Sequence, residues 1–321
     1  PGHPFARFAW GNRASLADGP RAAGVDVRAA ILDFYARQYG AERMSLVVLG
    51  GQPLAELAAA VGAAFGAVPA GVGPPSDFAS AGPPYTGGAL HISPAVKDGH
   101  TLTLAWCLPP LAKRYRAKAE DYLAHLIGHE GAGSLLAALK ARGWATGLSA
   151  GVGDGGTDRS SAAYVFEVSV TLTDAGLEAG PGAGLAAAGL LFSYVGLLAR
   201  AGPQAWVHEE VAAIAAARFR FAEEEDAAEY AARLAADARR YPPSDTLAGP
   251  YRHDEWDPAL VADLTARLSP GGARLDLQTS AAAGVLPPPA APKGGGGGKG
   301  EGGKEEVGGA PAAPPPAPTA P

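Results

Sequence analysis

The feature that most constrains this chain is a clean alternation over residues 162–172. Tyr164, Phe166, Val168, Val170 and Leu172 fall on one face, and Val165, Glu167, Ser169 and Thr171 on the other. Period two over this length specifies a strand with one apolar face, which calls for a sheet covered on one side. Residues 101–107 form a second strand, closed by Pro109-Pro110, and residues 90–92 a shorter one before it. Residues 153–161 hold a Gly-Asp-Gly-Gly-Thr-Asp-Arg run between two extended stretches and read as a hairpin loop. Helical periodicity surrounds these strands, so the expected fold class is α+β, with mixed or antiparallel sheets and packed helices.

Before the sheet, residues 1–23 read as loop with aromatic anchors at Phe5, Phe8 and Trp10. Asp26 can cap a helix carrying Val27, Ile31, Phe34 and Gln38 at helical spacing. Residues 44–49 are a short apolar strand closed by Gly50-Gly51. Pro53 opens a second helix whose expected buried stripe is Leu54, Leu57, Val61 and Phe65. The Pro-, Gly- and Ser-rich residues 69–88 read as a linker.

After the alternating strand, Asp174 can cap the next helix, which resumes past a Gly-rich interruption through residues 190–201. Pro203 starts a long amphipathic helix running into Glu223–Asp226, read as a solvated helix face, and a further helix runs from Tyr230 and ends before Pro242-Pro243. Pro258 starts the last helix and residues 274–278 form a closing strand. Residues 281–321 are almost all Gly, Pro, Ala, Lys and Glu, with Val285, Leu286 and Val307 the few large apolar residues; too few apolar groups are available to offset the entropy of ordering, so a disordered tail is expected. Its glycine run followed by Lys299 fails as a phosphate loop, because Gly300 stands where Ser or Thr is needed.

A chain of 321 residues with 47% hydrophobic content can bury a sizeable core. A net charge of -6 disfavours a nucleic-acid partner. The lone Cys107 excludes an internal disulfide and suits a reducing compartment, so the cytoplasm is expected, with an organelle left open. No apolar run reaches a membrane span. The chain opens on Pro1, as a piece of a longer protein would.

The polar chemistry gathers in residues 122–152. His125 and His129 stand four apart, sharing one helix face, and Glu130 follows. Gly131 and Gly133 are expected to break the helix, and Ser134 to cap the next. The histidines could hold a metal as a helical pair or serve only capping and hydrogen bonding. Their order, His-Leu-Ile-Gly-His-Glu, fits neither H-E-x-x-H nor H-x-x-E-H, and no third ligand stands nearby. Gly151–Gly156 matches G-x-G-x-x-G but leads into a strand, so a hairpin is preferred. Ser134 lacks a nucleophile elbow, and Cys107 reads as a core residue. The residues themselves give no complete catalytic constellation.

Several segments resemble the insulin-degrading-enzyme (insulysin) group of inverzincin zinc metallopeptidases: His3-Pro-Phe-Ala-Arg-Phe8 with Gly11-Asn12; Asp26-Val-Arg, Phe34-Tyr35 and Val48-Leu-Gly50; His125-Leu-Ile-Gly-His-Glu-Gly; Ser134-Leu-Leu; Lys140-Ala-Arg-Gly-Trp144; and Gly202-Pro-Gln-Ala-Trp206. The resemblance covers about residues 3–278. It implies two bowl-shaped halves around a chamber in which peptides are cut, with zinc held by H-x-x-E-H and a distal Glu of the first domain. This sequence contains no H-x-x-E-H. The resemblance therefore implies the end of the first, catalytic-type domain at 1–68, a linker at 69–88, a second, non-catalytic domain of homologous type at 89–280 and the tail at 281–321. It puts an exosite strand at Leu148, Ser149, Ala150, Gly151 and Val152, with His125, His129 and Glu130 beside it, holding the substrate's amino-terminal part. The family tends to have glycine near Ala150 and a polar residue near Val152, so a narrower groove is expected. The expected function is the chamber and exosite portion of a zinc metalloendopeptidase that degrades peptides. No catalytic residue and no cofactor are expected in this chain, zinc belonging to the intact family member. The expected partners are peptide substrates and the enzyme's remaining domains. The alternative is a catalytically inactive paralogue acting as a peptide-binding or structural subunit.

Overall fold

The computed structural model describes residues 3–6 and 10–282. The tail expectation for 283–321 and the anchor at Phe8 lie outside the described residues. One mixed sheet holds β1 (Ala89–Pro94), β2 (His100–Leu108), β3 (Ala145–Val152), β4 (Tyr164–Leu172) and β5 (Arg274–Thr279), in the spatial order β1-β5-β2-β4-β3. β1 and β5 are parallel and the other neighbours antiparallel. The helices are α1 (Gly19–Ala22), α2 (Val27–Gln38), α3 (Leu54–Phe65), α4 (Ala119–Ile127), α5 (Leu135–Ala141), α6 (Asp174–Glu178), α7 (Leu185–Ala201), α8 (Ala205–Arg220), α9 (Ala227–Arg240) and α10 (Pro258–Arg267).

The alternation on β4 sets the layer. Phe166, Val168 and Val170 pair with Trp106, Leu104 and Leu102 of β2, all buried on one face. Leu123 and Ile127 of α4, Leu135 and Leu139 of α5, Leu191 of α7 and Leu264 of α10 close over that face. Each fully buried large side chain contributes about 1.5–3 kcal/mol. The Trp106 indole N–H finds the Ser269 carbonyl at 2.9 Å, so its burial leaves no orphan donor. On the opposite face Thr103 and Ser169 hydroxyls meet at 2.8 Å and Glu167 and Thr171 are exposed. The segment read as a linker packs across the end of this sheet: the Arg274 guanidinium lies 5.5 Å from the Tyr85 ring and Gly88 N–H donates to the Ala273 carbonyl.

Several local expectations are corrected. Residues 14–22 are helical, a π-turn at Ala14–Asp18 running into α1. Residues 44–49 pair with no strand among the described residues, because an extended segment becomes a strand only where a ladder partner exists. The α3 stripe is not buried: Leu54 is 85% exposed and Phe65 51%. Thr173, not Asp174, caps α6, its hydroxyl accepting from Gly176 N–H. Residues 223–226 form the loop before α9; Glu225 pairs with Arg233, and Asp226 caps α9. No single helix among the described residues is long and apolar enough to cross a membrane; α7 and α8 reach that only together, across a 107° bend.

Candidate functional site

α4 carries acids at its start and a histidine at its end, the order its dipole favours. It stops at Ile127, with Gly128 as its cap, earlier than the expected break at Gly131 and Gly133. His129 therefore sits in the loop rather than on the helix with His125. The two rings still meet edge to face, with centroids 6.0 Å apart. The Gly131 N–H donates to His129 Nδ1 at 3.0 Å, and a Cβ on Gly131 would stand 2.5 Å from that ring, so glycine is needed for the ring to lie there. His125 is half-buried, while His129 and Glu130 are exposed. Ser134 then caps α5, accepting from Ala137 N–H at 3.1 Å.

β3 lies directly beside this turn. A methyl group on Gly128 would be 3.8 Å from both Ala150 Cβ and its backbone nitrogen, and one on Gly151 would be 3.7 Å from Ala124 Cβ. Leu148, Ala150 and Val152 pair with Val170, Val168 and Phe166 and pack on the core, so the two expected groove-narrowing side chains point under the helices. Ser149 is exposed on the other side. Gly151 has φ +153°, a conformation that disfavours a Cβ. β3 is an outer strand: among the described residues it is hydrogen-bonded to β4 alone.

The far end of β3 is tied down by a residue that sequence reasoning missed. Arg159, in the loop to β4, donates to the Val152 carbonyl at 3.3 Å and the Gly153 carbonyl at 3.1 Å. It faces Glu120 at 3.5 Å, Asp154 at 3.8 Å and Asp121 at 4.0 Å. Burial first, and Asp121 next, push the Glu120 carboxyl up to about 7; burial also raises Asp121 and lowers Lys118. His253, 4.0 Å from Asp121, is held down to about 4 by burial and by Lys118. The only sequence signal for Arg159 is a lone cation in a Gly- and Asp-rich loop.

The zinc implied by the resemblance does not fit the residues present. Among the described residues no three His, Cys, Asp or Glu side chains converge as a metal site. His125 and His129 supply two ligands at most, and a catalytic zinc takes three from protein.

Residues 26–214 match the family model described as the peptidase M16 inactive domain, and residues 219–286 that described as the middle or third domain of peptidase M16. The chain belongs to the M16 peptidase family. A nardilysin-like M16 protein of Arabidopsis thaliana is 46% identical over 276 residues, covering 86% of this chain and 26% of that protein. Insulin-degrading enzyme-like 1, peroxisomal, of the same plant is 36% identical over 276 residues, 85% of this chain and 27% of that protein. The chain thus spans about a quarter of the length of these M16 relatives. The crystal structure of pitrilysin superposes with a TM-score of 0.76 at 26% identity, over 87% of this chain and 29% of that one. The insulysin-type resemblance and the α+β architecture agree with these matches.

Proposed function

We propose that this chain is the substrate-chamber and exosite portion of an insulysin-like zinc metalloendopeptidase, with Leu148–Val152 of β3 receiving an extended peptide. The observation that carries the proposal is the outer position of β3 in the sheet. An edge strand offers free N–H and C=O groups, so a peptide can add to it with little regard to its side chains. Ser149, Ala150 and Gly151 are small enough for another backbone to come close. The His125–His129 turn flanks the strand and suits the peptide's amino-terminal end. Among the described residues the Glu130 carboxylate makes no hydrogen bond or ion pair, leaving it available to an ammonium group, and the imidazoles can add hydrogen bonds.

Cleavage belongs to a zinc site elsewhere in the enzyme, and this chain alone is inactive. The division into 1–68, 69–88, 89–280 and 281–321 goes with the same proposal, as does the cytoplasm as compartment. The remaining domains of the enzyme are the proposed cover for the exposed Ile31, Phe34, Leu54 and Phe65.

The test uses the full chain and a fluorescent peptide. Successive residues of an edge strand direct their N–H groups to opposite sides, so of Ser149→Pro and Ala150→Pro one removes a ladder donor and the other an outward one. One variant should stay folded by circular dichroism yet bind the peptide roughly tenfold more weakly, the worth of about one hydrogen bond. Acetylating the peptide's amino terminus should also weaken binding. Binding that survives both substitutions and acetylation puts the peptide elsewhere.

A further inference from the structure

We propose that Arg159 is a positioning residue for the β3 edge, latching the carbonyls at its end to the buried acidic turn of α4, so that the charge on Glu120 sets how firmly the edge is held for peptide docking. This rests on the docking function proposed above. A single guanidinium reaches both the Val152 and Gly153 carbonyls and three carboxylates, so it ties the last residues of β3 to α4 across the hairpin loop. The planar fork of arginine suits this shared arrangement, which one ammonium cannot reproduce. Its cationic face also lies 5.5 Å from the Tyr164 ring at the start of β4.

The three acids are not equivalent. The Asp154 side chain is 97% exposed and that of Asp121 is 38% exposed, whereas Glu120 is 5% exposed and lies nearest. Water screens Asp154, whereas burial already raises Asp121; the Glu120 charge, nearest to Arg159, acts through a low-dielectric path. The other charged or titratable groups facing this turn are Lys118 at its start, His253 from the segment after residues 249–251, and Arg240 and Tyr241 at the end of α9 near Arg159 and Tyr164. Lys118 sits at φ 40°, and its ammonium donates to the Pro250 carbonyl, so it is already engaged. A left-handed lysine persists only where its surroundings hold it, which makes the α4 start a fixed anchor for the latch.

Because the Glu120 carboxyl loses its proton near pH 7, the latch is charged above neutrality and slack below it. Binding of the amino-terminally acetylated fluorescent peptide, which has no ammonium to titrate in this range, to the full chain should fall roughly fivefold to tenfold from pH 8.5 to pH 5.5, about the worth of one hydrogen bond. Glu120→Gln should bind at the low-pH level throughout, with no step near neutrality. Arg159→Lys should bind weakly at every pH while melting as a folded protein. Hydrogen exchange of residues 150–154 without peptide, corrected for intrinsic pH dependence, reads the latch by itself. It should be faster at pH 5.5 than at 8.5 in the wild-type chain and insensitive to pH in Glu120→Gln. A Glu120→Gln variant that keeps the wild-type step, or exchange at residues 150–154 that ignores pH in the wild-type chain, overturns the latch. A wild-type chain that binds no peptide at any pH but shows the exchange step overturns the docking function and leaves the latch standing.

Discussion

Leu104 and Leu54 carry one side chain into opposite surroundings: Leu104 on β2 is fully buried, and Leu54 on α3 is 85% exposed. The difference extends to whole regions. From β1 to residue 282, apolar residues at strand and helix spacing close over one sheet. Over residues 10–70 the same kinds of pattern make helices, yet the one buried residue is Gly40. A helix satisfies its own backbone and needs only a cap, as Asp26 supplies to Ala29 N–H at 3.1 Å. A strand, and the burial of any stripe, needs a partner from elsewhere in sequence.

The sharpest way to break this comparison is to truncate one large apolar side chain in each region and follow chemical denaturation. Phe166→Ala should destabilise the chain by about 3–5 kcal/mol, as a fully buried aromatic does. Leu54→Ala should stay within about 0.5 kcal/mol. A large loss from Leu54→Ala would mean that α3 is packed in solution and that the two regions do not differ.

Acid should separate the regions next. His253 is buried in the sheet region and its folded value of about 4 lies below its unfolded value, so the stability it lends is complete above pH 6.5 and is lost as pH falls through about 4. The loss is on the order of 2 kcal/mol or less. His253→Gln should flatten the fall in thermal midpoint between pH 7 and pH 4. Glu120 has the reverse sign: its folded value is raised, so the stability it lends is complete below its unfolded value and is lost as pH rises through about 7. Glu120→Gln should therefore melt no lower than the wild-type chain at pH 8. A drop there would show that the buried charge stabilises the fold. Residues 10–70 bury no titratable side chain, but Glu42 there accepts backbone N–H groups, first its own and then those of Gly73 and Gly71, which hold its carboxyl below the ordinary 4.5, so what it lends is lost only as pH falls below that value.

The smallest effects come from caps. Ser134→Ala and Asp26→Ala each remove one acceptor from a helix start, at about 1 kcal/mol of local helix stability. The Ser134 loss should appear in the global denaturation midpoint because α5 is part of the core. The Asp26 loss should appear only as faster amide exchange in α2. Equal global effects would join the two regions into one cooperative unit.

The same division explains what was legible in the sequence. The alternation of β4 and the extents of β2 and β5, to within a residue, follow from side-chain order along a short run, whereas β3 begins three residues before the expected Leu148; the caps at Asp26 and Ser134 follow from an acceptor before an apolar repeat. Thr173 and Asp174 both offer an acceptor, and only the backbone conformation separates them. The unpaired 44–49 segment and the bare α3 stripe turn on distant partners, which no local period encodes. So does the strand order: β5, last in sequence, enters between β1 and β2 and leaves β3 outermost. Residues 148–152 stand out in sequence through their small side chains and a family resemblance, with nothing local to mark them as an edge. Arg159 meets Glu120 across 39 positions, a spacing with no meaning until the hairpin folds back.

β1 is the second outer strand of the same sheet, pairing with β5 alone among the described residues, and it provides the internal control. Amide hydrogen exchange of the full chain, followed strand by strand with and without a saturating unlabelled peptide, tests the docking edge most directly. The account predicts slower exchange at residues 147–152 of β3 and in the turn at residues 128–131, with β1 unchanged. Equal exchange at β3 with and without bound peptide, or slowing confined to β1, would contradict it.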